Sequence, residues 1–509
     1  MSIAFGNPFP QLEEATIVDL QAALAAGQLT SRRLTEMYIE RIEQLDRSGP
    51  HLKAVLEINP DALAIADTLD QERRQKGPRG LLHGIPLLIK DNIATLDQMQ
   101  TTAGSLALLG ARPPRDAFVA ARLRAAGAVI LGKTNLSEWA NFRSNASSSG
   151  WSARGGQALN PYVLDRSPIG SSSGSATAVA ANLAAVAIGT ETDGSILSPA
   201  SASAVVGIKP TLGLVSCAGV VPISHSQDTV GPLARTVSDA AALLSAITGI
   251  DERDAATKTS EGKVPTDYTQ FLDANGLRGA RIGVARQTYF GYSAKADAIV
   301  NAAIERMREL GAEIIDPADI PTSQEMESSQ DELTVLLSEF KADLNAYLAE
   351  LTSSSVRTLA DIIAFNTAHA DQELRYFGQE LLLQAQDAPA LHDERYLNAL
   401  ANNRRRACQE GIDAIMQEQR LDALVAPTTG PAWSIDLING DRVAGASTQP
   451  TALAGYPAIS VPAGYTFELP VGLTFMGRAF SEPTLIRFAY AFEQATKVRR
   501  APRYLSTVS

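Results

Sequence analysis

Two serine-rich turns hold the side chains best suited to chemistry. Gly170-Ser171-Ser172-Ser173-Gly174-Ser175 leads into an alanine-rich segment, and Gly189-Thr190-Glu191-Thr192-Asp193-Gly194-Ser195 follows the apolar run Ala184 to Ile188. Glycines in such turns let successive N–H groups converge on one point, which is what an oxyanion requires. A helix followed by a return can bring the second turn back to the first, so that two hydroxyls share one site. A hydroxyl is a weak nucleophile until a base takes its proton, and a buried lysine can be that base because desolvation disfavours ammonium. Lys90 ends the apolar run Pro86-Leu87-Leu88-Ile89 and precedes Asp91-Asn92. Lys133 and Lys209 hold similar strand-end positions, and spacing alone does not choose among the three.

Other chemistries are poorly served. Gly170-Ser171-Ser172-Ser173-Gly174 matches the G-x-S-x-G of a Ser-His-Asp hydrolase, but any Ser/Gly run meets that pattern easily. The histidines His51, His83, His225, His369 and His392 are scattered, none paired at helical i, i+4 spacing, so neither a metal centre nor a cofactor is expected. A phosphate-cradling loop would need a lysine after Gly174, and none follows. With 44 basic against 56 acidic residues the net charge is −12, which argues against a nucleic-acid partner. The run Arg404-Arg405-Arg406 is expected to cap or solvate a surface. Cys217 and Cys408 are too few for a disulfide framework and fit a reducing, cytoplasmic compartment. No window offers the ~20 apolar residues of a membrane span. Met1 to Gln11 lacks the basic and apolar regions of an export signal.

The elements that must position these residues are legible as periodicity. Residues 1–75 read as helices that clothe the rest, with Leu34, Met37, Tyr38, Ile42 and Leu45 at three- and four-residue spacing behind a Thr30-Ser31 cap. From about Gly80, short apolar runs alternate with helices: a strand at Ile85 to Ile89, a helix from Asp116 to Gly127, a strand at Ala128 to Leu131. Such alternation implies a sheet covered on both faces. Ser175 to Ala184 reads as a small-residue helix that lets backbones approach closely. Then follow a helix at 237–248, a strand at 280–285, long helices from 294 to about 419, strands at 424–426, 459–461 and 473–475, and a closing helix from Pro483 to about Lys497. Residues 252–270 read as a loop. No repeat and no long linker divides the chain, so 1–509 is expected to be a single domain: a helical part (1–75), a core (76–240) and a C-terminal helical and strand part (241–509).

The blocks His83-Gly84-Ile85-Pro86-Leu87-Leu88-Ile89-Lys90-Asp91-Asn92, Gly132-Lys133-Thr134-Asn135, Gly170 to Ser175, Gly194-Ser195-Ile196 and Gly207-Ile208-Lys209-Pro210-Thr211 resemble the successive blocks of the amidase signature family. The likeness covers most of residues 76–240. Within the family, Leu136 to Arg143, Gly150 to Gly156 and Thr190 to Ile196 are most similar to the bacterial peptide amidase branch. The resemblance implies an α/β fold, a large mixed twisted sheet flanked by many helices on both faces. It also implies a Ser-Ser-Lys triad, with Ser195 the nucleophile, Ser171, after a cis Gly170-Ser171 bond, the bridge, and Lys90 the base. The N–H groups of Thr192, Asp193, Gly194 and Ser195 would hold the oxyanion. Many members carry glycine where this chain has Asp193 and arginine where it has Leu197, so a role for that arginine does not transfer. The implied activity is hydrolysis of a carboxamide to an acid and ammonia through an acyl-enzyme, without cofactor or metal. The implied substrates are small-molecule or peptide amides, C-terminal peptide amides first. Alternatives are the glutaminase component of a tRNA-dependent amidotransferase and an amidase for small aliphatic or aryl amides. Trp139 and Trp151 are expected to wall an extended peptide or, equally, to fill the core.

Overall fold

Runs of apolar residues without polar alternation become strands covered on both sides. The computed structural model describes residues 10–508, so the reading of Met1 to Gln11 lies, for residues 1–9, outside the described residues. The strands are β1 (Val55–Ile58), β2 (Pro86–Lys90), β3 (Val129–Thr134), β4 (Trp151–Ser152), β5 (Gly156–Gln157), β6 (Val186–Glu191), β7 (Val206–Lys209), β8 (Thr229–Ala234), β9 (Arg281–Val284), β10 (Glu313–Ile315), β11 (Ala423–Pro427), β12 (Ala458–Thr466) and β13 (Leu469–Met476). Eleven of them form one mixed sheet in the order β1-β3-β2-β6-β8-β7-β12-β13-β11-β9-β10, with β4 and β5 a separate ribbon. Every residue of β2, β3, β6, β7, β8, β11 and β13 is buried. Helices flank the sheet on both faces, as the strand–helix alternation implies.

The sheet's centre sets the geometry that matters. β2 runs parallel to both β3 and β6, with Lys90 beside Thr134 and Ile89 beside both Lys133 and Ile188. The carboxyl ends of three parallel strands therefore open on one edge, the edge where α/β sheets bind ligands. The helix Ser173–Ala180 is buried throughout and packs its small residues on that edge, Ser175 Oγ donating to Ile188 O at 3.0 Å. Gly174 is required there, since a Cβ would lie 2.3 Å from Ala54 O and 2.5 Å from Asn135 O.

Other elements follow the sequence reading except at three places, one of them the strand β10 at Glu313–Ile315, which pairs with β9 inside the stretch 294 to about 419 read as helices. Thr30 caps the helix Ser31–Ile42, its hydroxyl accepting from Arg33 N, and the closing helix spans Glu482–Thr496. The segment 1–75 is not wholly helical: it holds β1, which pairs antiparallel with β3 as an edge of the sheet. Four residues are too few for periodicity to separate strand from helix. The stretch 252–270, read as loop, contains short 3₁₀ turns at Ala255–Ser260 and Tyr268–Phe271. Of the arginine run, Arg405 pairs with Glu410 at the surface, while Arg406 reaches Asp331 at 2.5 Å and is mostly covered. Among the described residues no helix is long and apolar enough to cross a membrane.

The helices Asp331–Glu350, Leu359–Ala368 and Glu380–Gln386 share an apolar cluster with Trp139 and Phe142. A buried ionic knot fastens this layer to the segment that follows β3. Arg143, wholly inaccessible, pairs with Glu138 and with Glu373 at 3.6 Å, and donates to the carbonyls of Glu373 (2.6 Å) and Phe377 (3.3 Å). Its guanidinium also lies 4.1 Å from the Phe377 ring centre and 5.2 Å from that of Trp151. Burial pushes the Glu138 carboxyl well above its ordinary range despite Arg143.

Candidate active site

Lys90 leaves the end of β2 with no accessible surface, so its ammonium has lost its water. Its Nζ lies 2.7 Å from Ser171 Oγ, 2.8 Å from Thr190 Oγ1 and 3.3 Å from Thr190 O. Desolvation pushes its pKa down to about 7, against the pull of the Asp228 and Glu191 carboxylates. The two rival lysines are equally buried and also lowered, each to about 8. Position separates them. Lys133 donates to Ile93 O (2.6 Å) and Thr101 Oγ1 (2.9 Å), and Lys209 to Tyr456 O (2.8 Å) and Pro210 O (3.2 Å). Only Lys90 reaches a serine.

The two serine turns do meet. The Gly170–Ser171 peptide is cis. Ser172 N donates to Ser195 O at 3.1 Å, and Ser172 Oγ donates to Thr190 O at 3.0 Å, so the first turn is laced to the second. Ser195 is buried but for 8% of its surface. No hydrogen bond joins Ser171 Oγ to Ser195 Oγ in this conformation. Catalytic hydrogen bonds without substrate are commonly long and tighten in the complex.

The turn from Thr192 to Ser195 is held from outside rather than by its own N–H groups. Glu191 Oε2 accepts from Ile196 N (2.6 Å) and Leu197 N (2.9 Å), fixing the start of the helix Leu197–Ala202. Thr192 Oγ1 donates to Asp228 at 2.5 Å, and Gln227 Nε2 donates to Thr192 O at 3.4 Å. Gly194 has φ +74, a left-handed conformation that favours glycine. In the hydrogen-bond network of the described residues, the N–H groups of Thr192, Asp193, Gly194 and Ser195 donate to no protein acceptor. Four adjacent free donors beside a hydroxyl are suited to an oxyanion.

Sequence reasoning missed the residues that support this frame. Thr190 accepts from both Lys90 and Asn92 Nδ2 (3.0 Å), and its place in the second turn was the available signal. Asp91 accepts from Arg154 at 2.9 Å and from the Thr102 hydroxyl, fixing the chain just after Lys90. Asp228 has no signal in its own sequence neighbourhood. Its carboxyl, raised to about 6 by burial, also accepts from Ile223 N and Ser224 N at 2.8 and 3.0 Å. The tryptophans are core filling. Trp139 and Trp151 keep 1% and 4% of their surface, too little to wall a cleft, because Arg143 and the helical layer cover them.

One histidine–carboxylate group occurs among the described residues: His225, Glu339 and Asp343. His225 Nδ1 lies 2.9 Å from Asp343 Oδ2 and Nε2 lies 3.4 Å from Glu339 Oε1, so both ring nitrogens already face separate carboxylates. Glu339 also accepts from Tyr396 OH at 2.7 Å. The group reads as an ion-paired bridge between the 223–228 loop and the helix Asp331–Glu350.

A family model described as Amidase matches residues 33–486. The "Probable amidase" of Arabidopsis thaliana is 48% identical over 97% of this chain and 92% of its own length. The native peptide amidase of Stenotrophomonas maltophilia superposes with a TM-score of 0.92 at 53% identity, over 98% of this chain and 99% of that one. A glutamyl-tRNA(Gln) amidotransferase component from Halorhodospira halophila is 36% identical over 95% of this chain and 98% of that one. Matched by the family model over most of its length and by amidases over nearly all of it, this chain belongs to the amidase (amidase signature) family and is an amide-bond hydrolase.

Proposed function

We propose that the whole chain acts as one amidase domain that removes the terminal carboxamide of peptide amides through Lys90, Ser171 and Ser195. The observation that carries the triad is the 2.7 Å contact between a fully buried Lys90 Nζ and Ser171 Oγ. Neutral Lys90 takes the Ser171 proton, Ser171 takes that of Ser195, and Ser195 Oγ attacks the carboxamide carbon. The N–H groups of Thr192, Asp193, Gly194 and Ser195 receive the oxyanion. The proton returns along the chain to the leaving nitrogen, releasing ammonia and an acyl-Ser195 ester, and water activated by the same relay frees the acid.

Similarity over nearly the full length to a peptide amidase, which also crystallised with the competitive inhibitor chymostatin, supports the peptide amide class. The amidotransferase relatives at 36% identity support glutamine as the competing substrate. Ammonia release from a panel of C-terminally amidated dipeptides, free glutamine and aryl amides decides between them. Turnover of the dipeptide amides with internal peptide bonds intact is expected. Robust glutamine hydrolysis without any peptide amide turnover would overturn this reading. The half-buried, unpaired Cys217 and Cys408 fit a reducing, cytoplasmic setting.

A further inference from the structure

Asp193 lies two residues before Ser195, and its carboxyl has the Thr448 hydroxyl beside it. The residue is partly exposed, yet its Oδ1 is out of water with no hydrogen-bond partner, so the other carboxylate oxygen is the one solvent reaches. Burial pushes the Asp193 carboxyl up, against the Thr448 hydroxyl, which packs over the same turn 3.0 Å from where a Gly194 Cβ would sit. A second carboxyl, that of Glu332, feels the Asp193 charge, which raises its pKa. Glu332 is occupied, accepting from Gln449 Nε2 at 2.8 Å and Gln227 Nε2 at 3.1 Å. Lys209 attracts Asp193 but spends its hydrogen bonds on backbone carbonyls.

The solvent-reached oxygen of Asp193 gives up its water when a substrate closes over it, a cost that a donor on the substrate offsets. The four free N–H groups of the turn present donors to a substrate carbonyl, and the carboxylate of Asp193, a residue of the same turn, is an acceptor. An amide brings both: a C=O for the donors and N–H groups for the acceptor. We propose that the Asp193 carboxylate accepts a hydrogen bond from an N–H of the bound amide substrate and so orients the carbonyl on the turn. This rests on the peptide amide reading above. The N–H can come from the scissile NH₂ or from the last main-chain amide, and the test distinguishes them.

The experiment compares kcat/KM of wild type, Asp193→Ala and Asp193→Asn on three substrates. These are a dipeptide amide, its methyl ester, which lacks the scissile NH₂, and the depsipeptide amide in which an ester oxygen replaces the last main-chain N–H. Asp193→Ala keeps the backbone N–H, so it tests the side chain alone. A hydrogen bond to a charged group predicts a loss of roughly 10- to 100-fold on the dipeptide amide. That loss should shrink to within about threefold on whichever analogue lacks the bonded N–H, and Asp193→Asn, which retains a carbonyl acceptor, should recover part of it. Equal losses on all three substrates would overturn the proposal and leave Asp193 a support of the turn. No loss would overturn it as well. Should Asp193→Ala fail to fold, the same comparison with Asp193→Asn against wild type decides. Absence of peptide amide turnover by the wild type would instead count against the substrate reading. The methyl ester arm would then be run against the best carboxamide of the panel.

Discussion

Lys90 must be neutral to act as a base, and its burial makes that a measurable statement. An amine with its ordinary pKa of 10.5 is neutral in about one molecule in 3,000 at pH 7, whereas one pushed down to about 7 is neutral in roughly half. Burial therefore supplies a factor of about 10³ in active base. The protonated form is inactive, so kcat/KM should fall about tenfold per pH unit below pH 7 and level off above it. The Asp228 carboxylate favours the ammonium form, so Asp228→Asn should move this limb to lower pH. Lys90→Met should lose about 10²- to 10⁴-fold in kcat, or more because the base activates a nucleophile. Lys133→Met should fall far less, since Lys133 contacts no catalytic hydroxyl. Initial rates of ammonia release across pH 5 to 9 test all of this. A profile flat over that range, a limb that moves up in Asp228→Asn, or a Lys90→Met variant within fivefold of wild type would refute the reasoning.

Arg143→Met should cost about 3–5 kcal/mol in urea denaturation, because it leaves the buried Glu138 and Glu373 without their cation. Without Arg143 the Glu138 carboxyl, already held above its ordinary range by burial, is pushed higher still, so the variant should be relatively more stable at pH 5 and lose stability as pH rises. Gly174→Ala should destabilise by about 1–3 kcal/mol and lower kcat, since the added Cβ meets backbone atoms of Ala54 and Asn135 at 2.3 to 2.7 Å. Thermal unfolding and ammonia release check the two effects. Activity should be unchanged by EDTA. A loss restored by zinc would show that His225, Glu339 and Asp343 act as ligands rather than as an ion-paired bridge.

The residues of the proposed triad stood out because each sits in a short block of distinctive composition: an apolar strand ending in lysine, then two serine–glycine turns. Three lysines met the strand-end criterion, and all three are buried with lowered pKa values, so neither pattern nor burial selects among them. Selection comes from strand order. β2 lies beside β6, which delivers Thr190 and the second turn to Lys90, and strand order is a long-range property no local window contains. β8 escaped notice because it carries Gly231-Pro232, residues that argue against a central strand, yet Pro232 lies opposite Ile188 in the sheet. Asp228 ends the loop just before β8 and contacts Thr192 from 36 positions away, so its role was equally invisible. The tryptophans were ambiguous for a different reason. Burial of Trp139 and Trp151 depends on the helices of residues 331–386 folding back over them, far along the chain.

The central claim is that Ser195 is the nucleophile of an acyl-enzyme. A fluorophosphonate probe, followed by proteolysis and mass mapping of the adduct, tests it most directly. The expected result is one phosphonylated site on the peptide containing Ser195, with labelling abolished in Ser195→Ala and strongly slowed in Lys90→Met. Labelling of Ser171 or Ser172, or labelling undiminished in Ser195→Ala, would contradict the account.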